Sequence, residues 1–161
     1  MEKSKLKISE ISAGDWMSIN GKPVEIVAVS ELNGSVVYFE EEVEDMVEVS
    51  IDAVFPIPLT HEIMKTYGFV ADRTFPKYVT YTYHVFKEKD FERNGCKYNT
   101  DYCVSVDMDY ESDKVFEVSV RNHSREGIFN IKQTKTNEPY FLHELQHAMR
   151  DCRVEERKVL L

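Results

Sequence analysis

Apolar and polar residues alternate in short runs over most of the chain, a period of two that belongs to strands. Near the start, residues 15–19 and then Val24, Ile26, Val27 and Val29 read as two strands. Asn20-Gly21-Lys22-Pro23 between them is a turn signal. Residues 36–39 and 46–51 make a third and a fourth strand. Asn33-Gly34 is the strongest hairpin signal, because both residues tolerate the positive φ of a type I′ turn. Four or five strands within about 60 residues predict a small SH3-like β-barrel. Between the third and fourth strands, Glu40, Glu41, Glu42, Glu44 and Asp45 read as a solvated loop. The run holds no glycine, which argues against a calcium loop. Pro56 and Pro58 mark residues 53–59 as a linker where strand pairing stops.

Beyond the linker, Thr60 can cap a short helix with Glu62 near its positive end, Gly68 as its stop, and Ile63, Met64 and Tyr67 as its apolar stripe. Strands follow at 78–85, 104–108, 116–120 and 128–131, joined by polar segments at 91–99, 109–113 and 122–127. A last helix spans about Glu138 to Cys152, with Pro139 in its first turn, and residues 159–161 can add a strand. The expected class is α+β: an SH3-like β module at 1–59, then an antiparallel β-meander covered by a C-terminal helix at 60–161.

Composition narrows the setting. With 161 residues, nine Tyr, nine Phe and one Trp, the chain can build a core without metal or disulfide. A formal charge of −9 disfavours nucleic acid as a partner, because phosphate backbones are held by clustered Lys and Arg. Cys96, Cys103 and Cys152 form no CxxC pair, which suits a reducing cytoplasm. No apolar run approaches the ~20 residues that a membrane span needs, so no membrane is expected.

One stretch matches a catalytic pattern. In His143-Glu144-Leu145-Gln146-His147, two histidines at i and i+4 can share a zinc ion, and the glutamate can activate its water. A third ligand is needed, yet Arg150 and Arg153 stand where an extended HExxHxxGxxH motif has glycine and histidine. Asp151 is the best substitute, ahead of Cys152 and Glu155. A helical wheel gathers Phe141, Leu145, Ala148, Met149 and Cys152 in one stripe. It sets His143 and His147 on the opposite face, towards water, beside Gln146 and Arg150. An ordinary amphipathic helix is therefore preferred, with no cofactor. The alternative is a zinc hydrolase with His143, His147 and Asp151 as ligands and Glu144 as base. His84 and His123 read as isolated surface residues. Tyr78, Tyr81 and Tyr83 read as core and cross-strand partners rather than a stacking platform. There is no nucleophile elbow and no phosphate loop.

The ordered set Ile8-Ser9-Glu10-Ile11-Ser12-Ala13-Gly14-Asp15-Trp16-Met17, Gly21-Lys22-Pro23-Val24, Ile57-Pro58-Leu59-Thr60, Glu62-Ile63-Met64, Gly68-Phe69 and His143-Glu144-Leu145-Gln146 resembles a known group. The group consists of small uncharacterised proteins of Bacteroides-type gut bacteria and their phages or prophages. The resemblance carries no functional residues; it implies a mobile-element accessory protein in a bacterial cytoplasm. Together with the incomplete catalytic set, it favours a non-enzymatic module that binds an unidentified protein partner. Trp16 and Tyr38 are the aromatic candidates for that surface, with core burial the favoured alternative for Trp16.

Overall fold

Ten strands carry most of the residues described by the computed structural model, which covers 6–93, 96–124, 127–135 and 139–151. They form two five-stranded antiparallel sheets; with two α-helices among the described residues, the class is α+β. The chain divides into two units. One is Met1–Pro58 with Phe141–Glu144, and the other is Leu59–Tyr140 with Leu145–Leu161.

The first unit holds β1 (Trp16–Ile19), β2 (Lys22–Ser30), β3 (Ser35–Glu40), β4 (Asp45–Ser50) and β5 (Val54–Pro56), in the order β4-β3-β2-β1-β5. The two-residue hairpin lies at Asn20-Gly21. Both residues have positive φ (52° and 78°) and Ile19 pairs with Lys22, as a type I′ turn requires. Asn33-Gly34 differs from the expectation. Ser30 pairs with Ser35, so this loop has four residues, and only Gly34 takes positive φ. The linker expectation for 53–59 is corrected as well. Residues 54–56 form β5, which pairs with β1 as Met17↔Pro56, Ser18↔Phe55 and Ile19↔Val54. Pro56 is tolerated because it ends an edge strand, where a missing N–H costs little. Ile11, Met17, Ile19, Ile26, Val36, Tyr38 and Val54 make the core of this unit.

In the second unit, α1 (His61–Thr66) is capped by the Thr60 hydroxyl, which accepts the Ile63 N–H at 3.1 Å. Gly68, at φ +84°, ends the turn, and Met64 and Tyr67 are buried. The sheet order is β10-β9-β8-β7-β6: β6 (Val70–Thr74), β7 (Tyr78–Arg93), β8 (Cys96–Asp109), β9 (Val115–Ser124) and β10 (Gly127–Lys135). The strands run further than the alternation predicts. Most of the expected loop at 91–99 is strand, with Arg93 paired to Cys96. β6 has no counterpart in the expectation, because Ala71, Asp72 and Arg73 interrupt its apolar pattern.

Register sorts the sheet's two faces. On one, Tyr81↔Val106↔Val118 and Tyr83↔Val104↔Val120 form buried apolar rows. The Phe69 ring lies 5.4 Å from Tyr83 on this face. On the other, Thr82↔Ser105↔Ser119 form a row of hydroxyls.

The last helix, α2 (Leu142–Asp151), starts later than expected, and Pro139 precedes it. Cys152 and the strand expected at 159–161 lie outside the described residues. No helix among the described residues is long and apolar enough to cross a membrane.

Ile26→Ala, emptying a fully buried site in the first core, is expected to cost about 2–5 kcal/mol in a denaturant titration. Thr60→Ala is expected to cost about 1 kcal/mol through the lost cap.

Candidate functional site

The HExxH segment opens α2. Phe141 is the N-cap, Leu142 the first helical residue and Glu144 the third. The Phe141 backbone N–H donates to Glu144 Oε2 at 2.9 Å. This is the returning half of a capping box, in which a glutamate at the third position satisfies an orphan donor at the helix start. The carboxylate needed as a base in the zinc reading is thus engaged in holding the helix end.

His143 does not project into water as the wheel predicts: it is 4% exposed, and Gln146 is 1% exposed. The buried positions Leu142, His143, Leu145, Gln146, Ala148 and Met149 cover an arc of about 220° at 100° per residue. A single-stripe reading fails because two polar side chains are buried beside the apolar ones. The His143 ring lies against Phe141, with centroids 6.0 Å apart and planes 21° from parallel. His147 is half-buried and Asp151 exposed. Among the described residues, no three of His, Cys, Asp and Glu are placed to share a metal ion. His143, His147 and Asp151 therefore do not assemble the ligand set that a catalytic zinc needs.

In the first unit, the expectation for Tyr38 is corrected. It faces inward opposite Ile26 and belongs to the core, because Val36 and Tyr38 share the inner face of β3. Its hydroxyl donates to Glu40 Oε2 at 3.0 Å; burial first, then this bond, raises its pKa. Trp16 is half-buried on β1, opposite Glu25. The residue after Tyr38, Phe39, is exposed at 48%, directly across from Met46 at 53%; Phe55 on β5 is exposed as well. Val43 in the β3–β4 turn is 62% exposed, and Val27, the bulged residue of β2, is 45% exposed. Around them stand the acidic residues of the turn. Lys22 bonds Glu42, which raises the lysine pKa and lowers the glutamate's. Ser35 Oγ donates to Glu48 across the hairpin.

In the second unit, His61, which the sequence patterns do not single out, is held by several hydrogen bonds. Its Nε2 lies 2.9 Å from the carbonyl oxygens of both Asp109 and Ser112, so Nε2 must carry the proton. In the neutral ring, Nδ1 then accepts from the Tyr81 hydroxyl at 2.9 Å. The His61 backbone N–H donates to Asp113 Oδ1 at 2.9 Å. Burial, and then the Asp113 charge, raise the Tyr81 pKa. In the same loop, Asp109 Oδ1 accepts the N–H groups of Glu111 and Ser112 at 3.0 and 2.9 Å. These bonds, Glu111 first, lower the Asp109 pKa. His61 thus ties the start of α1 to the β8–β9 loop, an anchoring role that needs no substrate.

On the polar face of this sheet, register sets the buried Cys103 between exposed His84 and half-buried Arg121. Arg121 reaches back to Glu117 at 3.6 Å. The side chains of Cys96 and His123 lie outside the described residues.

Comparison of the chain with family models, with curated proteins and with solved structures returned no match.

Glu144→Ala is expected to lower stability by about 1 kcal/mol in thermal or chemical unfolding. Glu144→Gln retains a side-chain acceptor for the Phe141 N–H and should keep most of that stability. A larger loss for glutamine than for alanine would refute the capping role. For Asp109 the folded pKa lies below the ordinary 3.8. Its stabilisation is fully present above 3.8 and is lost as pH falls through the lower folded value. Hydrogen-exchange protection of the Glu111 and Ser112 amides should therefore survive at pH 3.8 and collapse only on further acidification.

Proposed function

We propose that the protein is a non-enzymatic accessory module that binds another protein through the outer face of its first unit. In this reading it works in a bacterial cytoplasm in the service of a phage or other mobile element. The observation that carries it is the Phe39–Met46 pair, two large apolar side chains directly opposed and about half exposed on neighbouring strands. Isolated apolar residues on a surface are ordinary, whereas a contiguous set is the usual sign of an interaction site. Val43 extends the set along the same hairpin.

The strand plan of this unit supports an SH3-like barrel. β1 to β4 form a meander, β2 bends at its Val27 bulge, and a 3-10 turn at Ile51–Ala53 leads β5 back to pair with β1. Barrels of this type commonly use their surface strands and loops to hold peptides. The resemblance of the chain's ordered motifs to phage-associated proteins supports the setting. Nothing in the arrangement favours the zinc-hydrolase alternative, since Glu144 serves the helix end and the ligands are not gathered.

A photo-reactive amino acid at position 39 or 46 of the full chain, expressed in a bacterial host carrying the related element, tests the proposal. Crosslinks to a discrete protein are expected from both positions. They should be absent from position 32, whose leucine is equally apolar and more exposed but lies on a different hairpin. A Phe39→Ser, Met46→Ser double variant should lose the partner while keeping its unfolding temperature. Equal labelling from all three positions would refute the assignment of the face.

A further inference from the structure

The outer face of the first unit ends at a strand whose far side is open. β4 is the terminal strand of the order β4-β3-β2-β1-β5, and among the described residues nothing pairs with it beyond β3. Which of its backbone groups face that side follows from parity. The Ile51 N–H donates to the Gly34 carbonyl at 3.0 Å, so that pair is a bonded one. In an antiparallel ladder bonded and non-bonded pairs alternate. Val36/Val49, Tyr38/Val47 and Glu40/Asp45 are then bonded, while Ser35/Ser50, Val37/Glu48 and Phe39/Met46 are not. The N–H and C=O groups of Met46, Glu48 and Ser50 therefore point away from β3. The Met46 N–H agrees with this parity, since it donates to the carboxylate of its own neighbour, Asp45, at 2.7 Å. Glu48 leaves both of its backbone groups at the edge, and Ser50 its N–H, since the Ser50 carbonyl caps the 3-10 turn at Ile51–Ala53.

Side chains say what would pair there. Met46, Glu48 and Ser50 share the exposed face of β4, while Val47 and Val49 turn inward. An added strand would therefore place one residue beside Met46 and, two residues along, another beside Glu48. The first position suits an apolar side chain and the second a cation. Asp45, Glu48 and the turn residues Glu41, Glu42 and Glu44 surround the edge with negative charge, and the whole chain carries −9. A second copy offering its own β4 would meet like charge directly opposite, which is destabilising. Edge charge of this kind rejects self-pairing and admits a strand of opposite sign.

We propose that β4 receives an extended, basic segment of a partner protein by strand addition, with an apolar and a cationic residue at alternate positions facing Met46 and Glu48. This rests on the interaction reading above and names the chemistry of its partner. Main-chain bonds to Glu48 and Ser50 supply the pairing, and the acidic rim supplies selectivity.

The probe is a capped peptide, Thr-Lys-Thr-Val-Thr-Lys-Thr, titrated into the isotopically labelled full chain and followed by amide chemical shifts. The Glu48 and Ser50 amides should shift most and gain exchange protection, with affinity falling as salt is raised. Glu48→Lys should weaken binding by about tenfold. Replacing lysine by glutamate in the peptide should abolish binding, as should N-methylation of alternate peptide nitrogens on one of its edges, while methylation on the other edge is tolerated. Analytical ultracentrifugation of the free chain should show a monomer. Binding that survives N-methylation on each edge in turn, equal binding of the acidic peptide, no shift at millimolar peptide, or a dimer held through β4 would each overturn the proposal. If strand addition fails while crosslinks from positions 39 and 46 persist, the interaction reading stands and only this mode of binding is lost. If both fail, the reading itself is wrong.

Discussion

Everything described in both units depends on the two-residue repeat of the β-pleat, and on the bulges that correct it. In the second unit, a slip of β7 by one residue against β8 would set Thr82 opposite Val104 or Val106, on the face that now buries Tyr81 and Tyr83. The hydroxyls of Thr82, Ser105 and Ser119 are already buried in the present register, so a slip would set them against apolar side chains and break up the polar row. The long strands keep this separation only by absorbing extra residues, at the register shifts between His84 and Phe86 and between Glu88 and Asp90. The same repeat governs the first unit on a smaller scale. Tyr38 is core and Phe39 is surface because they are neighbours on a strand, and the Val27 bulge adjusts β2 beside them.

Acidic residues in the first unit have a structural part that precedes any role in recognition. A hairpin with exposed Phe39, Val43 and Met46 and an open edge is a hazard for association. Its charges answer that hazard locally. Glu42 is held by Lys22, Glu48 takes the Ser35 hydroxyl, Glu40 takes the Tyr38 hydroxyl and Asp45 occupies the Met46 N–H. The carboxylates are thus placed as well as numerous, which distinguishes this hairpin from a merely solvated loop. What remains unguarded on this hairpin is narrow: the backbone of Glu48, the N–H of Ser50, and the Phe39–Met46 pair.

Alternation made the α+β class and most strands legible, because it survives wherever one face is buried. Local signals that depend on tertiary context are less legible. Asn20-Gly21 and Asn33-Gly34 are the same dipeptide, yet only the first forms the two-residue turn; the Ser30↔Ser35 pairing puts the second in a longer loop. Pro56 looked like a stop because a proline excludes a central strand, and it is the end of an edge strand instead. Phe39 occupies the surface position that the sequence suggests for its neighbour Tyr38, because composition cannot separate adjacent aromatics without the register. His61 carried no signal at all. Its partners Tyr81, Asp109, Ser112 and Asp113 are at least twenty residues away in sequence and meet it only after β7, β8 and α1 are in place.

The HExxH segment shows how one spacing can satisfy two demands. A helix start favours an acceptor at its third position, and a zinc helix favours a glutamate after the first histidine; in His143-Glu144 one residue meets both descriptions. Geometry separates them through what the carboxylate faces. A general base must look outward to a metal-bound water, whereas a capping carboxylate must fold back on its own N-terminus. Glu144 folds back, to within 2.9 Å of the Phe141 nitrogen. The burial of His143 against Phe141 is then consistent with the same local structure, since a ring at the second helical position can lie over the N-cap side chain. The carboxylate of the motif therefore serves the helix end, whereas Phe39 and Met46 stand exposed on the β3–β4 hairpin outside the first core.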